Sequence, residues 1–348
     1  MASVTQRIEQ ITQPKGGYLP VSKLKKIQLK DNANLNEDEN IHASLIGMTV
    51  DYMTRFMMGS SRNEAFKISL KGASLIKDER FAKKLLEKIN GLDDESIISA
   101  CKLTGYDVCF RAGSAYYKNV RYIEPDDYTI MNIKTMIIRS MTFLKEYGPV
   151  IQDGITFEGA YTNVVNSGDA DFITKDTLWD FKVSKRGATN KQTLQLLMYY
   201  LMGKRSNNPN FENITKIGIY NPRLNLIYVK EISEIDPRVL YEIERDVIGY
   251  SFNTGNEKTI INENENSLIY MKDIMNILGC SKYMVMKYYN YYRLPLKKYK
   301  NKYCIEIYKL YAWKQEKEEM ERKQLIASII MIFIVFVIAF ILFFYMIK

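Results

Sequence analysis

Two short segments constrain this chain more than anything else in it: Gly168-Asp169-Ala170-Asp171-Phe172-Ile173 and, just beyond, Leu178-Trp179-Asp180-Phe181-Lys182. Both read as β-strands. Side chains alternate faces along a strand, so residues i and i+2 share one. Asp180 and Lys182 therefore project together, while Trp179, Phe181 and Val183 turn the other way into a core. The chain must build a sheet that holds a carboxylate beside an ammonium, with Asp171 on the neighbouring strand. That grouping suits a divalent cation and the activation of water. It also suits an ordinary ion pair on an edge strand.

A helix-forming stretch follows, with Gln195 and Tyr199 four residues apart and so on one helix face. Lys216 to Tyr220 and Leu224 to Val229 then read as strands. Upstream, residues 43–150 read as mostly helical, with helical spacing over Leu45–Met58, Phe81–Ile89, Ser96–Leu103 and Ile133–Leu144. In the first of these, Gly47 is followed four residues later by Asp51.

The order G-x-x-D strand (Gly168 to Asp171), D-x-K strand (Asp180 to Lys182) and Q-x-x-x-Y helix (Gln195 to Tyr199) resembles the RecB-like branch of the PD-(D/E)XK nuclease superfamily. The resemblance spans roughly Ile155 to Glu231. It implies an α/β (α+β) fold with a restriction-endonuclease-like core. It further implies a catalytic set of Asp171, Asp180, Lys182, Gln195 and Tyr199, with Asp171 and Asp180 holding Mg²⁺ or Mn²⁺. Lys182 would orient the attacking water or meet developing negative charge, and Gln195 and Tyr199 would position the substrate backbone or support the metal site. A further acidic or histidine position, usually on an upstream helix, is expected in this family. Asp51 is the first candidate, with Glu158 and Glu146 as rivals. The long gap from Asp51 to Asp171 departs from the family pattern and requires a helical insertion.

Composition narrows the chemistry. His42 is the single histidine, which leaves almost no room for Ser-His-Asp catalysis or a His-rich metal site. It lies in the polar entry to the Gly47 helix and reads as a local hydrogen-bonding residue. The four cysteines show no C-x-x-C spacing, so neither structural zinc nor a disulfide framework is implied. The net charge of +9 is uneven: Asn266 to Gln324 holds 13 Lys/Arg against 6 Asp/Glu, an excess of seven. A basic segment of this kind favours nucleic acid or an anionic surface.

That segment has its own pattern. Tyr270 to Gly279 reads as an amphipathic helix ending at a glycine, Ser281 as the N-cap of a second helix to Tyr292, and Lys297 to Lys302 as a basic turn before a strand at Tyr303–Ile305. A last helix, Ile307 to Glu316, carries Leu310 and Trp313. The arrangement resembles MerR-like and excisionase-like helix-turn-helix DNA-binding domains. The resemblance implies that Lys282, Tyr283, Met286 and Lys287 face the major groove. Lys297, Lys298, Lys300 and Lys302 would meet phosphates. Protein contact or an anionic surface are the other readings of the same residues.

Leu325 to Ile347 is a 23-residue run without a charge. At ~1.5 Å per residue it is long enough, as a helix, for a bilayer core. Lys314, Lys317, Arg322 and Lys323 precede it. The expectation is a single-pass, C-terminally anchored membrane protein with its bulk in the cytoplasm. The expected organisation is a polar segment at 1–40, a nuclease-like domain at 41–252, a linker at 253–266, a small winged helix-turn-helix domain at 267–324 and a transmembrane helix at 325–347. The expected activity is metal-dependent hydrolysis of DNA, with RNA also open as a substrate. The alternative is a non-catalytic, membrane-tethered DNA-binding protein or transcription regulator on a nuclease-like scaffold.

Overall fold

A computed structural model describes residues 1–250, 268–299, 301–306, 309–314, 316–318, 320–328 and 331. The chain divides into two compact units. The first comprises residues 2–161 and 166–231; the second comprises Met1, 162–165 and the residues from Ile232 onward.

The first unit is built on a six-stranded sheet and three principal helices. The strands are β1 (Lys25–Gln28), β2 (Gln152–Ile155), β3 (Ala170–Ile173), β4 (Thr177–Phe181), β5 (Lys216–Asn221) and β6 (Leu226–Glu231). The helices are α1 (Ala43–Met57), α2 (Asp127–Tyr147) and α3 (Asn190–Arg205). The strands lie in the order β1-β6-β5-β4-β3-β2. All neighbours are antiparallel except β4 and β5, where Thr177 is paired with Lys216 and Asp180 with Ile219. A parallel pair needs a crossover, and α3 is that crossover. Its start is set by a capping box, in which the Thr189 hydroxyl accepts the Gln192 amide and the Gln192 side chain accepts the Thr189 amide at 2.8 Å.

One layer of the sheet is aromatic. Phe143 and Tyr147 of α2 meet Trp179 and Tyr220, with the Phe143 and Tyr220 rings stacked at 4.0 Å and Trp179 edge-on to Phe143 at 4.9 Å. Gly218 makes room for this layer, because a Cβ there would stand 2.3 Å from the Trp179 ring. Arg139 of α2, nearly buried, donates to both Asp31 oxygens (2.5 and 2.9 Å) and to the carbonyls of Ala33, Pro222 and Arg223 (2.7, 3.1 and 3.0 Å). It thereby ties α2 to the β5–β6 turn. That turn explains why β6 begins at Leu226 and not at Leu224. Asn221 Oδ1 accepts the Arg223 and Leu224 amides at 3.0 and 3.3 Å, and Asn225 adopts a φ of +50°, so residues 222–225 cannot extend the ladder.

The helical part packs α1 and α2 with shorter helices at Lys67–Leu75, Glu79–Glu87 and Asp94–Thr104. Ile46, Val50, Met53, Phe66, Ile97 and Ile133 form its core. Each such burial contributes about 1.5–3 kcal/mol. Asp107 is fully buried within this part, and it accepts the Tyr52 and Ser69 hydroxyls at 2.5 Å each. Two donors on one carboxylate are what its burial demands.

The second unit contains β7 (Leu268–Tyr270), α4 (Met271–Leu278), α5 (Lys282–Tyr291), β8 (Lys297–Tyr299) and β9 (Lys302–Glu306), with the strands in the antiparallel order β8-β9-β7. Gly279 closes α4 at a φ of +59°, and the Ser281 hydroxyl accepts the Met284 amide at 3.4 Å to start α5. Ile269, Ile274, Val285, Leu294, Leu296, Ile305, Leu310 and Trp313 form the core. The Trp313 indole donates to the Tyr292 carbonyl at 2.7 Å. All four cysteines of the chain are free thiols.

The expected membrane span does not stand. Among the described residues no helix is long and apolar enough to cross a membrane. Residues 320–328 are helical, but Glu321, Arg322 and Lys323 occupy their first part. Of the uncharged run, the described residues Leu325–Ser328 and Met331 are helical, fewer than the ~20 apolar residues that a bilayer core requires. Residues 329–330 and 332–348, like the expected linker 253–266, lie outside the described residues. The fold class is therefore corrected to mixed α/β with a six-stranded sheet and many helices, without the transmembrane helix, and the membrane localisation falls with it.

Candidate functional site

The centre of the site is the β3–β4 pair. Phe172 is paired with Trp179 and Ile173 with Leu178, so the same register sets Asp171 opposite Asp180. Asp171 Oδ2 accepts the Phe181 amide at 2.7 Å, which locks the two strands together at this point. Asp180 is 2% exposed. Its Oδ1 accepts the Lys182 ammonium at 2.7 Å, whereas its Oδ2 is buried without a hydrogen-bond partner. An unpaired buried acceptor costs about 1–3 kcal/mol, and more when charged. Lys182 is 31% exposed along its side chain, so the pair opens to solvent on the lysine side. The Lys182 amide donates to the Tyr220 carbonyl at 2.9 Å and holds the end of β4 against β5.

The electrostatics follow from this packing. Burial, reinforced by the Asp180 charge, pushes the Asp171 carboxyl up to about 6. Burial also raises Asp180, against the pull of Lys182. For Lys182 burial works in the lowering direction, but Asp180 and Asp171 outweigh it and hold the ammonium above its ordinary value. Two carboxylates thus share one lysine.

α3 contributes the next layer. Gln195 Nε2 donates to the Tyr199 hydroxyl at 3.1 Å, and the buried Tyr199 ring stacks on Phe157 at 5.4 Å. Burial raises the Tyr199 phenol, and so do Asp180 and Asp171. Gly168, at the head of the G-x-x-D element, has a spatial reason: a Cβ there would stand 3.2 Å from the Tyr199 ring and 2.8 Å from Val4.

α1 brings Asp51, and with it a residue that the motif did not include. Arg55, one turn along, donates Nε and Nη2 to the two Asp51 oxygens at 2.9 and 3.2 Å and Nη1 to Asp153 of β2 at 3.2 Å. Burial raises the Asp51 carboxyl, Arg55 opposes this, and the Asp171 charge adds to it. Lys182 in turn feels the Asp51 charge. Asp51, Arg55, Asp171, Asp180, Lys182 and Tyr199 therefore form one electrostatic neighbourhood. Glu158 does not join it; that side chain is exposed and accepts the Thr156 hydroxyl at 2.7 Å. Glu146 is exposed near the end of α2. His42 caps α1, its Nδ1 accepting the Ser44 amide at 3.2 Å.

Among the described residues no group of three or more His, Cys, Asp or Glu is gathered closely enough to hold a metal ion. Asp171 and Asp180 form a pair, and Asp180 offers a buried oxygen that nothing else uses. Mg²⁺ is ordinarily held by one or two carboxylates, with waters and substrate phosphates completing its shell. Two carboxylates with one unsatisfied oxygen fit that demand.

In the second unit Lys282, Tyr283 and Lys287 are exposed on α5, and Met286 is half-buried. Lys297 pairs with Glu306 at 2.9 Å, and Lys298 lies over the Tyr303 ring at 5.2 Å. Lys302 is exposed; Lys300 lies outside the described residues. Comparison with protein-family models, with curated proteins and with solved structures finds no match in any of the three.

Proposed function

We propose that this chain is a divalent-metal-dependent nuclease of the PD-(D/E)XK type, hydrolysing phosphodiester bonds of DNA. The observation that carries the reading is the Asp180 carboxylate, one oxygen on Lys182 at 2.7 Å and the other buried without a partner, with Asp171 opposite on the next strand. Asp171 and Asp180 would hold Mg²⁺ or Mn²⁺. When bound, the cation supplies Lewis-acid polarisation and a lowered pKa for water. Lys182 places a positive charge where negative charge grows on the scissile phosphate. Gln195 braces the Tyr199 hydroxyl, and Tyr199 in turn walls the acidic pair. Asp51 is occupied by Arg55, so its role here is to position that guanidinium, and Arg55 is the cation that meets an incoming phosphate.

A cleavage assay on the full chain tests this, with Mg²⁺, with Mn²⁺ and with chelator, on linear and circular DNA in single- and double-stranded form. Cutting that needs the metal and falls at least about 100-fold in both Asp180→Asn and Lys182→Ala is the expected result. DNA binding without cutting under every condition would leave a binding protein in place of a nuclease.

A further inference from the structure

From Lys282 to Ile305 the chain carries seven Lys or Arg and seven Tyr, and not one Asp or Glu. α5 sorts them. Val285 is buried, and Tyr288 packs on Trp313 with ring centroids 5.2 Å apart. On the opposite side Tyr283, Lys287 and Tyr291 recur at i, i+4 and i+8 and share one face. Tyr283 is 76% exposed and Tyr291 78%. Among the described residues neither tyrosine has a ring or hydrogen-bond partner, and Lys282 and Lys287 make no ion pair. The contrast with neighbouring groups is plain, since Lys297 is committed to Glu306, Tyr289 to Tyr303 and Tyr292 to Tyr288.

A single exposed aromatic side chain needs no explanation. Two unpartnered rings about 12 Å apart, at ~1.5 Å per residue, with an unpaired ammonium between them, are a different case. The cations demand a polyanion. The rings demand flat, accessible π-faces, and a polyanion offers these when its bases are unpaired. In a duplex the bases are stacked on each other, and a tyrosine reaches only their edges.

We propose that α5 binds single-stranded nucleic acid, with bases stacking on Tyr283 and Tyr291 and phosphates meeting Lys287 between them and Lys282, which lies off that face at the first residue of the helix. The inference rests on the nucleic-acid reading above but not on catalysis.

The experiment is a fluorescence-anisotropy titration of the full chain in chelator, so that nothing is cut. The probes are labelled oligothymidine, oligouridine and a mixed-sequence duplex, with heparin as a polyanion that has no bases. A single strand binds more tightly than the duplex, and comparison of oligothymidine with oligouridine shows whether the sugar matters. Tyr283→Ala and Tyr291→Ala each weaken single-strand binding roughly 30-fold at unchanged salt slope, the middle of the range for one stacked base. Tyr283→Phe and Tyr291→Phe keep the ring and keep the affinity, which separates stacking from misfolding. Lys282→Ala with Lys287→Ala lowers the salt slope by roughly 0.7 for each phosphate left without its cation. Duplex or heparin bound as tightly as single strands, or tyrosine truncations without effect, would overturn the proposal. So would absence of binding to every probe. The nuclease reading is decided separately, by Asp180→Asn in the cleavage assay, which does not touch α5.

Discussion

Asp171 and Asp180 face each other across two strands, with Lys182 bonded to Asp180, and the consequences are measurable. The folded Asp171 carboxyl sits at about 6, against 3.8 for an ordinary one, so the folded state holds a proton that the unfolded chain has released. Stability from this group is fully present below pH ~4 and is lost as pH rises through ~6, by at most about 3 kcal/mol. Metal-free protein should therefore show a falling melting temperature across that window relative to Asp171→Asn, whose amide oxygen still accepts the Phe181 amide. Equal slopes for the two proteins would contradict the assignment. Asp51 and Arg55 give a second test. If Asp51 positions Arg55, then Asp51→Asn and Arg55→Ala share one phenotype: weaker DNA binding, unchanged Mn²⁺ affinity by calorimetry, and a double variant no worse than either single one. If Asp51 ligates the metal, only its own replacement lowers Mn²⁺ affinity. The strand residues of this site were legible because alternation alone puts Asp180 and Lys182 on one face. Arg55 was not, because an arginine one turn after an aspartate reads as an ordinary helix pair. Its contact with Asp153, 98 residues away, is a product of tertiary packing.

Elements differ in how loudly they announce themselves. β4 and β5 are legible as runs of apolar and aromatic residues that will be covered on both faces. β1 is not: Lys-Lys-Ile-Gln is mostly exposed and pairs along a single neighbour, β6, so nothing in its pattern requires a strand. β2 is silent for the same reason, as an edge strand with Gly154 inside it at a φ of +56°. Two glycines show how packing, and not composition, decides what an element tolerates. Gly218 of β5 lies against Trp179, where an added Cβ would meet the indole at 2.3 Å, and α2 closes the other side of that ring through Phe143 and Tyr147. Gly218→Ala should cost at least about 2–3 kcal/mol in a denaturant titration, because the aromatic layer has no free direction in which to move. Gly47 lies inside α1 with Val183 at an ordinary 3.7 Å. Gly47→Ala should be neutral or stabilise by up to about 1 kcal/mol, the gain of alanine over glycine in a helix. The glycine four residues before Asp51 therefore helped to find the helix without being needed by it.

At the scale of the whole molecule, chemistry and charge fall into different units. The acidic pair and its lysine belong to the sheet of the first unit, and the stretch from Lys282 to Ile305, without a single carboxylate, belongs to the second. The shift in composition near residue 266 does not mark that division, which falls at Ile232 and gives residues 162–165 to the second unit as well. The uncharged run from Leu325 was legible, but length and hydropathy describe only what a segment could do if it were one continuous helix. No described helix meets that condition. Separate placement predicts separable defects. Asp180→Asn should abolish cleavage yet leave both affinity for DNA and its salt slope unchanged, because it removes no cation that faces phosphate. Lys282→Ala with Lys287→Ala should do the reverse: KM rises, kcat changes little, and the slope of log K against log salt falls by about 0.7–0.9 for each phosphate that no longer meets a lysine. The two sets combined should show both defects at their single-set size, since sites without shared partners add. Paired measurements of kcat, KM and salt slope across the four proteins decide it. A fall in kcat from the α5 variants as deep as that from Asp180→Asn would mean that the second unit takes part in the chemistry and not only in capture.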